Sequence, residues 1–123
     1  MSSPLKGIKI LDLTHMLAGP YGTMLLADLG AEIIKIEPPL KGEITRSLLN
    51  NDPEYSVDGV GPYHLTLGRN KKSLTLDLKS EPGKNIFYQL VKKADVVIDN
   101  FSSGVMKRLK IDHETLKSHN EKI

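Results

Sequence analysis

The stretch "IKILDLTHMLAGPYGTMLLADLGAEIIKIE", residues 8 to 37, restricts what this chain can become more than any other part of it. Its opening, IKILDL, is a short apolar run bounded by Gly7 and the Thr14-His15 pair, which marks a buried strand. From Pro20 the spacing turns helical. Proline loses nothing in a first helical turn, where its missing N–H has no partner, and Met24, Leu25, Ala27 and Leu29 carry the pattern to Gly30, a C-terminal cap. Residues 32 to 37, EIIKIE, form a second strand. Two strands joined by one crossover helix lie parallel, with a right-handed crossover, so the stretch is one βαβ unit. The predicted fold class is α/β, a mainly parallel sheet flanked by helices, with ligands received beyond the carboxyl ends of the strands.

Further along, residues 38 to 72 show no sustained period and carry Pro38, Pro39, Gly42, Asn50-Asn51-Asp52-Pro53, Gly59 and Gly61-Pro62. They read as a long loop, interrupted by a short helix around residues 44 to 50, and connections of this length act as lids, binding loops or partner contacts. SLTLDL, residues 73 to 78, alternates strictly and predicts a third strand, half exposed on its other face. Ser80 caps a helix from Glu81 to about Lys93, with Ile86, Phe87, Leu90 and Val91 as its buried stripe. DVVID, residues 95 to 99, supplies a fourth strand. A short helix opening at Ser102 or Ser103 runs through Arg108, and Asp112 caps another from about His113 to Ser118. At 123 residues the chain is expected to be a single domain, 1 to 123, burying roughly two thirds of its unfolded surface.

Three stretches fall at the predicted strand ends: residues 15 to 22, the loop after Glu37, and residues 100 to 108. The first leads into a helix N-terminus, where unpaired N–H groups favour phosphate or carboxylate. Its glycines do not match a dinucleotide fold. G-x-G-x-x-G is replaced by Leu17-Ala18-Gly19-Pro20-Tyr21-Gly22, so pyrophosphate cannot approach, although Glu37 stands where an NAD site would hold its ribose-binding carboxylate. His15 has no second ligand at metal spacing, and no metal is expected. Arg69, Lys71 and Lys72 in RNKKS, and Lys107, Arg108 and Lys110 beyond the fourth strand, are candidate phosphate contacts or else a solvated charged face. The charge is uneven in the same sense: residues 1 to 68 carry 5 Lys/Arg and 8 Asp/Glu, whereas residues 69 to 123 carry 12 and 7. Taken together these features suit an extended polyanion with one apolar limb. Nucleic acid is not expected, because aromatics make up 5% of the chain and no basic stripe interleaves with them. Without cysteine, an apolar leader or a run near the ~20 residues of a membrane span, the chain is expected to be cytoplasmic, unprocessed and free of membrane.

"LDLTHMLAGPYGTMLLADLGAEIIKIEPP", "GRNKKSLTLDLKSEPGK" and "ADVVIDNFSSGVMKRL" resemble, in order and spacing, the N-terminal part of the class III CoA-transferases over about residues 4 to 120. That formyl-CoA transferase-like family also contains carnitine CoA-transferases and α-methylacyl-CoA racemases. The resemblance implies a Rossmann-like domain, a homodimer of interlocked subunits, and coenzyme A or acyl-CoA bound as substrate along the strand ends. It places the CoA contacts at His15, Met16, Leu17, Ala18, Leu76, Asn100, Phe101, Val105 and Arg108. Apolar atoms flank the pantetheine arm and Arg108 offers charge to the nucleotide phosphates. Where several relatives hold a basic residue after the strand-end acid, this chain has Pro38, and Lys71 or Lys72 is the candidate replacement. The family's nucleophilic Asp follows the segment resembled, and Asp12, Asp28 and Asp77 do not stand in its position, so no catalytic residue is assigned. The implied activity of the parent is transfer of CoA from an acyl-CoA to a carboxylic acid through a mixed anhydride. The alternatives are a racemase-like member, or a non-catalytic chain that binds CoA or pairs with a full-length partner.

Overall fold

A computed structural model describes residues 3–123. The first strand, β1 (Lys9–Asp12), is short because apolar Ile10, Leu11 and Leu13 are followed at once by Thr14, whose N–H turns back to the Asp12 carboxylate at 2.9 Å. Helix α1 (Ala18–Asp28) follows, then β2 (Glu32–Glu37), which pairs with β1 in parallel from Lys9 opposite Glu32 to Asp12 opposite Lys35. The βαβ unit read from the sequence is therefore present. Strand β3 (Lys71–Thr75) pairs in parallel with β2, and β4 (Val96–Ile98) with β1, giving a four-stranded parallel sheet in the order β3-β2-β1-β4. Helices α3 (Glu81–Val91), α4 (Val105–Arg108) and α5 (His113–Lys117) complete the second half.

Strand alternation sends the side chains of β1 and β2 to two faces. On one face Leu11, Leu13 and Ile36 pack with Leu76, Phe87, Val91, Ile111 and Leu116, so that α3 and the C-terminal helices cover it. On the other, Ile10 and Ile33 meet Ala27 and Ala31 beneath α1. Lys35 and Asp12 belong to this second face, and both are buried.

Three sequence expectations are corrected. The third strand is displaced toward the N-terminus, to Lys71–Thr75 rather than 73 to 78, although one further ladder bond runs from the Leu76 N–H to the Glu37 carbonyl at 2.8 Å. The leucine alternation hid this start because Lys71 is there to neutralise a buried acid, which no apolar pattern records. The connection from 38 to 72 is mostly loop, with a 3₁₀ turn at Ile44–Arg46 where a short helix was expected, but it also holds helix α2 (Pro62–Leu67), which was not expected, with Pro62 at its start. In α3 the buried stripe is Gly83, Lys84, Phe87 and Val91, with Leu90 partly buried, while Ile86 is 50% exposed.

Candidate functional site

The carboxyl ends of β1, β2 and β3, with the start of α4, enclose a cleft of about 240 Å³. Its walls are Leu13, Ile36, Leu76 and Leu78 from the sheet side and Phe101, Val105 and Leu109 from the other, with His15, Glu37 and Pro38 at the rim. A second hollow of about 540 Å³ continues past His15 and Pro38 along Leu40, Lys41 and Ile44. An apolar floor with polar groups at its edge is the usual form of a small-molecule site. Four expected contacts, His15, Leu76, Phe101 and Val105, meet in this cleft from three separate sequence motifs.

The other five stand around it. Asn100 clamps the rim bend: its Oδ1 accepts the His15 N–H and its Nδ2 donates to the His15 carbonyl, both at 2.8 Å. Met16 and Leu17 are exposed in that bend, and Ala18 begins α1. Arg108 is exposed on α4, on the same short helix as the cleft-lining Val105. The bend is tight. A Cβ on Gly19 would come within 2.4 Å of Thr14 Cβ, so a side chain there is excluded by the strand end it folds over. Phe101 lies 5.2 Å from the His15 ring at a tilt of 33°, and it packs against the core beneath α3.

Cation placement differs from the sequence expectation. Arg69 pairs with Asp28 at 2.5 Å and Lys72 with Glu32 at 2.8 Å, the latter at the amino end of the sheet, away from the cleft. Lys71 is buried under α1, donating to Asp12 Oδ2 at 3.1 Å, the Pro20 carbonyl at 2.9 Å and Thr23 Oγ1 at 2.7 Å. Burial pulls its ammonium below the usual lysine range even though Asp12 opposes that shift. The RNKKS cations are thus engaged within the fold, and neither Lys71 nor Lys72 replaces the basic residue absent at Pro38. Lys79, which the sequence reading passed over, does line the cleft. The signal available for it was its place just after Leu78, at the end of the alternating run.

Glu37 is also committed. Arg46 Nε and Nη2 donate to its two oxygens at 2.6 and 2.7 Å, the Ser73 hydroxyl at 2.6 Å and the Glu43 N–H at 2.8 Å. Burial would raise this carboxyl, but the guanidinium, hydroxyl and amide outweigh it and lower it to about 2. With both oxygens so held, Glu37 is not offered to a ribose, which removes the one feature that favoured NAD. Asp12 is held likewise: burial works to raise it, while Lys35, Thr14, Thr23 and Lys71 together bring it below the usual range. A third buried acid, which sequence reasoning missed, is Glu43, 1% exposed behind His15. Burial acts to raise it too, yet His15, His64, Thr45 and the Met16 amide keep it far below the carboxylate range. Among the described residues no group of three or more His, Asp or Glu side chains is arranged to hold a metal ion.

Comparison with known proteins gives a consistent result. The family model described as CoA-transferase family III matches residues 5–123. The chain is 43% identical over 120 residues to a succinyl-CoA:mesaconate CoA-transferase of Haloarcula hispanica, covering 94% of this chain and 29% of that protein. It is 42% identical over 123 residues to a formyl-CoA:oxalate CoA-transferase of a Bradyrhizobium strain, covering 100% of this chain and 28% of that one. A crystal structure of a CAIB/BAIF family protein from Brucella suis superimposes with a TM-score of 0.87 at 38% identity, over 98% of this chain and 32% of the other. The chain therefore spans somewhat under a third of the length of these relatives. With a family model that matches almost every residue, and with identity, topology and cleft in agreement, the chain belongs to CoA-transferase family III.

Proposed function

We propose that these residues form the CoA-binding part of an enzyme that transfers CoA between an acyl-CoA and a carboxylic acid. The observation that carries the reading is the convergence of His15, Leu76, Phe101 and Val105 on one cleft at the carboxyl rim of a parallel sheet. The apolar length of that cleft suits a pantetheine arm. Lys79 at its edge and Arg108 on the adjoining helix suit the nucleotide phosphates. The two curated relatives compared above are named as CoA-transferases, which favours transfer over racemisation. Met16, Leu17 and Ala18 belong to the reading as the outer lip of the arm's channel, and Asn100 as the residue that fixes this lip.

Titration calorimetry of the purified chain with CoA, dephospho-CoA and NADH tests this. Binding of CoA with negligible response to NADH is expected, and absence of CoA binding at millimolar ligand overturns the assignment. Arg108→Ala is expected to weaken CoA about tenfold, or 1.4 kcal/mol, with a smaller loss for dephospho-CoA, because Arg108 meets the 3′-phosphate. Equal losses would refute that role. Transfer of CoA to a carboxylic acid is not expected from these 123 residues alone, since the acids they bury are engaged by their own neighbours.

A further inference from the structure

Glu43 divides its two oxygens between parts of the chain that are distant in sequence. Oε1 accepts the Met16 N–H at 2.9 Å and lies 3.7 Å from His15 Nδ1, both in the rim bend. Oε2 accepts the Thr45 N–H at 3.0 Å and the Thr45 hydroxyl, and it lies 4.0 Å from His64 Nδ1 on α2. The connection between β2 and β3 is thereby tied to the bend that borders the cleft.

The bend needs such a tie. Met16 sits at φ 65, a backbone state that costs a residue with a side chain on the order of 1 kcal/mol and persists only when its surroundings enforce it. The His15 backbone is fixed on both sides by Asn100, so its ring orientation is the remaining freedom. Phe101 restricts the ring by one face, and the Glu43 carboxylate, almost without exposure, stands beside Nδ1. His15 itself is 34% exposed and lines both hollows, which leaves Nε2 as the nitrogen on the cleft side.

We infer that Glu43 is a positioning residue for His15: it draws the Nδ1 proton inward and thereby presents Nε2 to the ligand as a hydrogen-bond acceptor. This inference rests on the cleft being a CoA site, and it assigns the partner of Nε2 as a donor group on the pantetheine arm. A carboxylate is required because each of its oxygens accepts from a different segment. A carboxamide has one acceptor oxygen and would turn an NH₂ group toward donors on the other side.

Nitrogen-15 NMR of the imidazole side chains, with the His15 signals assigned by their loss in His15→Asn, reads the arrangement directly at mildly alkaline pH. The expected state has Nδ1 protonated and Nε2 bare. In Glu43→Gln the His15 signals should move to solvent-averaged positions, with CoA affinity lowered about tenfold and cooperative unfolding retained. Unchanged His15 signals in a folded Glu43→Gln protein overturn the inference. If that variant does not fold, the wild-type spectrum decides, because a proton on Nε2 of His15 is incompatible with the role. Should the tautomer hold while wild-type protein fails to bind CoA, the positioning by Glu43 is supported and the CoA assignment is what falls.

Discussion

Asp12 and Glu37, at the carboxyl ends of β1 and β2, and Glu43 in the connection that follows are all buried, and each is matched: Asp12 by Lys35 and Lys71, Glu37 by Arg46, and Glu43 by two imidazoles and two backbone amides. Burying an unpaired carboxylate costs several kcal/mol, so the cations next to these acids are structural before they are anything else. That ordering explains why Lys71, which looked available for phosphate, is not. It also sets a pH dependence. Glu37 is lowered from 4.5 to about 2 on folding, so its contribution, roughly 3 kcal/mol, is present above 4.5 and is lost as pH falls from there toward 2. Chemical denaturation across that window should show stability falling with acid, and less steeply in Glu37→Gln. Equal slopes in the two proteins would show that another group carries the effect. Neither Arg46 as the partner of Glu37 nor the burial of Lys35 could be read from sequence, since pairing across strands depends on register and on where the connection returns.

Helix α3 was legible almost to the residue because its signals are local. Ser80 caps it, with its hydroxyl accepting the Gly83 N–H at 3.1 Å, and Pro82 stands in the first turn. Ser80→Ala should cost about 1 kcal/mol. Gly83 is the more telling site. In a helix interior, exchanging Gly for Ala ordinarily stabilises by about 1 kcal/mol, yet a Cβ here would lie 2.0 Å from the Asp77 carbonyl oxygen. Gly83→Ala is therefore expected to lower the melting temperature, and a rise would show that the turn ahead of α3 yields more readily than its packing implies. Helix α2 had no such legibility. It has six residues, Gly61 as an uncapped start and apolar residues on more than one side, so only its contact with the 3₁₀ turn and α1 makes it a helix. The bounds of β3 were misread for a related reason: Leu74, Leu76 and Leu78 all pack toward the α3 side, as their alternation implied, but the backbone leaves the ladder after Leu76 to reach the cap of α3.

The whole sheet has two outer strands, and they are unlike. β3 carries Lys72, whose exposed side chain pairs with Glu32 and charges an edge of the kind that resists pairing, whereas β4 is Val96–Ile98 with no charge within it. Together with Leu17, Tyr21, Leu25 and Leu29 exposed at four-residue spacing along α1, this leads us to expect concentration-dependent self-association. Sedimentation velocity over a range of concentrations checks it. A single monomeric species throughout would contradict it, and Val96→Lys should shift the equilibrium toward monomer if β4 is the edge involved. Taken as a whole, the sequence by itself determined the βαβ start, the parallel α/β class, the helix caps and the family resemblance, because apolar periodicity, capping residues and motif spacing all act over short stretches of chain. Only the tertiary structure decided which charges are spent inside the fold, that α2 exists, and that His15, Leu76, Phe101 and Val105 face one cleft with Glu43 behind it. Those outcomes depend on register and on contacts between residues tens of positions apart, where the energy of an ion pair or a backbone clash is fixed by geometry that no local pattern encodes.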